Sequence, residues 1–263
     1  MNRENTVGTN ATQKMPSIRQ VATADLMAAI AAGWRDFRRA PVFGLAVTAP
    51  FVLGGLLIWL QFLFGGQSWL ILVVACGFPL VGPFVVVGLY EVSHELQQGQ
   101  RPTWAGVLGR IFAARDRQIP SLAFIVTFFL GIWFYVAHLI FALFFGLSSM
   151  TNISTSYDLL LTPNGLTMLA VGSAVGAALS FFLFSISVVS FPLVIDRDVD
   201  FVTAMITSVR AVARNLPVMI LWAALIGVLT LIAMVPLFLG LFVVMPVLGH
   251  ATWHLYCALV EPA

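Results

Sequence analysis

Long, nearly uninterrupted apolar runs limit what this chain can fold into more than any other feature. The hydrocarbon core of a bilayer, about 30 Å thick, takes about 20 apolar residues in a helix. Six stretches reach that length: 41–64, 68–90, 119–145, 166 to about 195, 217–235 and 240–260. They lack the period-two alternation of barrel strands, and lipid admits only helices or closed barrels. The expected fold is therefore all-α, a polytopic bundle of six transmembrane helices arranged as three hairpins. The last two runs are nearly continuous, and Pro236 with Gly240 is the pair able to break them.

Only 9% of the 263 residues are charged and 60% are apolar, against about 25% charged in a soluble domain. A soluble enzyme, a nucleic-acid binder and a disordered regulator are excluded. Residues 1–17 have neither an apolar signal core nor a folding pattern, so they read as a disordered cytoplasmic tail. Residues 18–263 read as one membrane domain.

The thirteen Lys and Arg residues are segregated. They precede the first run (Arg3, Lys14, Arg19, Arg35, Arg38, Arg39), or lie between the second and third (Arg101, Arg110, Arg115, Arg117) or the fourth and fifth (Arg197, Arg210, Arg214). The opposite connections hold none, and their one charged residue is Asp158. The positive-inside rule places these segments and both termini in the cytoplasm.

Two of the basic segments match at an offset of 175. Asp25, Leu26, Ile30, Trp34, Arg35, Phe37 and Arg39 correspond to Asp200, Phe201, Met205, Val209, Arg210, Val212 and Arg214. The apolar members recur at helical spacing, Asp stands at the favourable N-terminal end of the helix dipole and Arg near the C-terminal end. A third copy precedes the third run, with Trp104, Leu108, Arg110, Phe112 and Pro120. The expectation is three parallel units, at about 22–90, 101–195 and 198–260, each a cytoplasmic amphipathic interfacial helix followed by a hairpin. Those helices are expected to lie flat with Leu26, Ile30, Trp34 and Phe37 in lipid. Arg35, Arg38, Arg39, Arg110, Arg115, Arg210 and Arg214 then reach anionic headgroups.

The runs hold no Asp, Glu, Lys or Arg at membrane depth, which disfavours a proton- or ion-coupled carrier. No P-loop, nucleophile elbow or zinc-protease pair occurs, and no catalytic residue is expected. His250 and His254 are four apart on the last run; Glu91 and His94 are three apart at the end of the second. Imidazole and carboxylate at such spacings can hold a transition metal or haem. Equally, these are helix-end histidines satisfied locally, with Trp253 and Tyr256 as an interfacial aromatic belt. No cofactor is expected unless the first reading holds. His138 is expected to be a hydrogen-bonded packing residue. Gly172, Gly176 and Ser180 form a small-residue stripe for close helix packing.

The stretches FPLVGPFVVVGLYEVSHELQQGQRPTW (78–104), FPLVIDRDVDFVTAMITSVRAVARN (191–215) and LGLFVVMPVLGHATWHLYCALV (239–260) resemble an uncharacterised bacterial integral membrane protein family, domain of unknown function 2189. The resemblance spans roughly residues 20–260 and includes a GH-x-x-WH-x-Y signature at Gly249, His250, Trp253, His254 and Tyr256. It implies a multi-pass protein of the bacterial inner membrane and assigns no catalytic residues. Some members carry a cytochrome c oxidase label, but four histidines fall short of a haem-copper core. The expected function is that of an accessory, assembly or membrane-organising factor acting through lipid, a membrane-protein partner or a second copy. The alternatives are a carrier or channel for a small, weakly polar solute, and a metal- or haem-binding respiratory-chain-associated protein.

Overall fold

The computed structural model describes residues 16–64, 86–115, 118–146 and 160–262. In chain order the helices are α1 (Thr23–Arg39), α2 (Pro41–Phe64), α3 (86–97), α4 (Trp104–Arg115) and α5 (Ile119–Phe145). They continue with α6 (Pro163–Ser187), α7 (Ser190–Asp196), α8 (Phe201–Arg214), α9 (Leu216–Met234) and α10 (Leu241–Leu259). Among the described residues there is no strand, only one isolated bridge between Ile18 and Val260.

Five described helical stretches are long and apolar enough to cross a bilayer: Pro41–Gln61, Ile119–Phe145, Pro163–Asp196 (α6 continuing into α7), Leu216–Met234 and Leu241–Leu259. The protein is an integral membrane protein with several spanning helices. The run expected at 68–90 lies mostly outside the described residues, and α3 holds its end. The sixth span and the full set of three hairpins therefore rest on sequence alone.

The expected break between the last two runs is made by an unusual turn. Leu237 and Phe238 both have left-handed backbone, with φ of 54° and 64°, at a cost of roughly 1–2 kcal/mol each. Tertiary packing holds the turn in place. The Phe238 ring lies over Gly55 of α2, where a Cβ would come within 2.4 Å of it. Gly240 passes so close to α9 that a Cβ would stand 2.7 Å from Cα and the carbonyl oxygen of Ala233. Both are backbone atoms that cannot swing away. Gly240→Ala is expected to cost on the order of 1–3 kcal/mol, read as a lower melting temperature in detergent.

The short helices preceding the spans are seated on protein. In α1 the buried residues are Leu26, Ala29, Ala32, Gly33, Asp36 and Phe37, and the helix packs along α10. This corrects the expectation that Leu26 and Phe37 lie in lipid: their face is occupied by a neighbouring helix. In α8 the buried residues are Ala204, Thr207, Ser208, Ala211 and Val212, which are Ala29, Ala32, Gly33, Asp36 and Phe37 advanced by the same 175 positions.

The two helices also meet their neighbours alike. A Cβ on Gly33 would lie 2.6 Å from both the Val247 oxygen and the Ala251 nitrogen, an i/i+4 pair on α10. Ser208 occupies the corresponding place between Ser185 and Val189. Its hydroxyl donates to the Ser185 oxygen (2.7 Å) and accepts from the Val189 N–H (3.1 Å). It thus replaces one rung of the helical ladder, and α6 breaks from α7 there. On α4, Val107 lies against Gly88 of α3, where a Cβ would be 3.3 Å from it.

The segments around residues 17–21 and 259–261 meet at the base of α1. The Arg19 N–H donates to the Leu259 oxygen (2.8 Å) and the Glu261 N–H to the Ser17 oxygen (3.2 Å). Asn215, at the end of α8, accepts from the Val21 N–H (2.8 Å) and donates to the Arg19 oxygen (3.0 Å). The segment leading into α1 is thereby tied to the segments that end α8 and α10.

Candidate functional site

Where α1, α3 and α10 meet, polar side chains form one connected network. Helical spacing puts Asp36 on the buried face of α1, three residues after Gly33. The same spacing aims Ser93 and Gln97 of α3, and His250 and His254 of α10, at a common junction. Asp36 is 5% exposed, Ser93 and His250 0%. Buried polar groups mostly satisfy one another, and the exception at this junction is His250 Nε2, buried without a hydrogen-bond partner among the described residues.

Donor chemistry fixes the direction of each bond. Trp253 Nε1 can only donate, and it lies 2.9 Å from Gln97 Oε1. The Gln97 amide nitrogen therefore faces His254 Nδ1, at 3.0 Å, and Nδ1 must accept. That leaves the His254 proton on Nε2, which donates to Asp36 Oδ2 at 2.6 Å. Ser93 also hydrogen-bonds the Asp36 carboxylate, and its Oγ lies 2.8 Å from His250 Nδ1. A carboxylate only accepts, so the Ser93 hydrogen goes to Asp36 and His250 Nδ1 donates to Ser93. Two chains of donors, one from Trp253 and one from His250, end on a single acceptor.

Burial acts to raise the Asp36 pKa, but the hydrogen bonds of His254 and Ser93, with the positive charge the His254 and His250 rings carry when protonated, outweigh it and hold the carboxyl below its ordinary range. At the start of α8, the Thr203 hydroxyl and N–H likewise hold the capping carboxyl of Asp200 low.

The four residues considered as metal ligands fall into two groups. His250 and His254 belong to the Asp36 junction. Glu91 pairs with Arg110 of α4 at 2.9 Å, His94 Nδ1 lies 3.8 Å from the same carboxylate, and His94 Nε2 is 2.8 Å from the Gln98 amide nitrogen. Among the described residues no group of three His, Cys, Asp or Glu is placed to hold a metal ion. Trp253 and Tyr256 are 2% and 3% exposed, so they pack inside protein and do not form an aromatic belt. Tyr256 donates to Asp196 at 2.6 Å. His138 Nδ1 donates to the Phe134 oxygen (2.8 Å).

Of the arginines expected at headgroups, Arg35, Arg38, Arg39, Arg210 and Arg214 are exposed. Arg110 is turned inward to Glu91, and the Arg115 side chain lies outside the described residues. In the small-residue stripe, Gly176 takes the Trp133 ring of α5, where a Cβ would be 2.9 Å from it. Gly172 and Gly176 both border an apolar groove of about 350 Å³ between α5 and α6, lined also by Trp133, Phe141 and Met168.

Spanning helices around a buried polar junction define a polytopic helical membrane protein. Residues 70–196 match the family described as predicted integral membrane protein (DUF2189). The matched segment is a little under half of the chain; it contains Ser93, Gln97, Glu91 and Arg110, and stops short of Asp36 and the GH-x-x-WH-x-Y signature. No curated protein and no solved structure matches the chain.

Proposed function

We propose that this protein acts by interaction, as an accessory or membrane-organising factor of the bacterial inner membrane with both termini in the cytoplasm. Its three units form a closed ring, each interfacial helix seated on the second span of the unit before it. The observation that carries this reading is the recurrence of one seat. Gly33 lies over Val247 and Ala251, Val107 over Gly88, and Ser208 between Ser185 and Val189. One turn on, Asp36 meets His254 and Arg110 meets Glu91; the third pair of positions is Ala211 and Pro192, both buried. The pairs differ in chemistry but keep their places, as structural fasteners do and a single catalytic centre does not.

Apart from His250 Nε2, which is buried without a hydrogen-bond partner among the described residues, the polar groups at the junction are engaged with one another, which favours a holding role over turnover. The groove between α5 and α6 has almost wholly apolar walls, which favours hydrocarbon over a solute path. Purification in mild detergent is expected to bring down a reproducible membrane-protein partner, identified by mass spectrometry. A particle that is solitary across detergents and expression levels counts against this function.

A further inference from the structure

The seated helices carry a second apolar stripe that the first reading of their sequence merged with the buried one. On α1, Met27 is 61% and Trp34 43% exposed; on α8, Val202, Ile206 and Val209 are 45%, 40% and 42% exposed. Met27 and Trp34 precede Val202 and Val209 by 175 positions, as Arg35 and Arg39 precede Arg210 and Arg214. Each arginine pair is four residues apart, on one side of its helix and flanking the stripe. Each helix also stops where a span begins: Arg39 is followed by Ala40 and then Pro41, and Arg214 by Asn215 and then Leu216. Chain connectivity therefore holds both pairs at the boundary between hydrocarbon and water.

We propose that Arg35 with Arg39, and Arg210 with Arg214, form two equivalent sites for the headgroup phosphate of an anionic phospholipid, its acyl chains lying along the exposed stripe. The guanidinium fork suits phosphate, and position at the membrane surface selects lipid over a soluble anion. Seat for seat, α4 offers Gly109 and Ala113 in place of the two arginines, so the ring carries two such sites and not three. This deepens the interaction reading but can fail separately: a solitary particle that retains two anionic lipids would sink that reading and leave this one standing.

The test is native mass spectrometry of the full chain with phosphatidylglycerol or phosphatidylcholine, read together with thermal unfolding in each lipid. The wild type is expected to retain two phosphatidylglycerol molecules and to melt higher with them than with phosphatidylcholine. R35Q/R39Q and R210Q/R214Q should each retain one, with affinity for the lost one down roughly 30-fold, and the quadruple variant none. R101Q, outside both helices, should still retain two. Equal retention of the two lipids by the wild type, which needs no variant, overturns the proposal. So does undiminished retention by variants that melt as the wild type does in phosphatidylcholine, displacement of the lipid by millimolar inorganic phosphate, or loss of an acidic protein partner without loss of lipid.

Discussion

Gly33→Leu is expected to leave little folded protein after detergent extraction. Even the first added atom has nowhere to go, since a Cβ at residue 33 stands 2.6 Å from Val247 O and Ala251 N and 3.0 Å from Ala251 Cα. All three are backbone atoms of α10, so relief requires the helices to separate. Separation would expose Leu26 and Ala29, which are 0% and 5% exposed, and would pull Asp36 from His254. Gly33→Ala alone should cost about 1–3 kcal/mol, and the larger leucine a substantial part of a typical net stability of about 5–15 kcal/mol. Gly109→Ala is the matched control. Among the described residues nothing beyond its own helix backbone and chain neighbours lies within 4 Å of its Cβ position, and removing a mid-helix glycine should stabilise by about 0.5–1 kcal/mol. Monodispersity on size exclusion and melting temperature report both. A Gly33→Leu protein that melts with the wild type would mean α1 is not seated on α10.

What could be read from the sequence was what depends on solvent and period. Apolar runs of spanning length are a property of the chain alone, as is the placement of its arginines, and the 175-residue correspondence was visible because the same face recurs residue for residue. The environment of each face was not legible. Leu26 and Phe37 are equally apolar whether lipid or another helix covers them, and only the small residues on that face, Ala29 and Gly33, signalled that a helix comes close. Asp36 was missed because three of its near neighbours are Arg35, Arg38 and Arg39, so it read as one more surface charge. Its spacing from Gly33 and Ala29, three and seven residues, was the available signal. Ser93 and Gln97 gave none, since their roles arise only when α3 meets α10. The pairing of Arg110 with Glu91 was hidden for the same reason: a positive charge near a span looks the same whether it faces a phosphate or a carboxylate on the adjoining helix.

Asp36→Ala is expected to destabilise the protein by about 2–3 kcal/mol, the range for a buried hydrogen bond to a charged group. It leaves the His254 Nε2–H and the Ser93 hydroxyl as donors without an acceptor. Asp36→Asn should also destabilise, by less, because the amide offers one oxygen where two donors converge and places an N–H opposite the other. The two variants separate in their pH dependence. In the folded protein the Asp36 pKa lies below that of the unfolded chain, about 3.9 for an aspartate, so the folded state binds this proton less readily than the unfolded state does. The contribution is fully present above the unfolded value and is lost as pH falls from about 4 through the lower folded value, where the carboxyl takes a proton and becomes a donor among donors. Thermal unfolding between pH 7 and pH 3 should therefore show an acid loss in the wild type that is shallower in Asp36→Asn, after both curves are referred to their own values at pH 7. Parallel curves would mean the carboxylate is not the acceptor on which the junction closes. An intact neutral-pH stability in Asp36→Ala would mean that α1, α3 and α10 are held together by their apolar contacts alone.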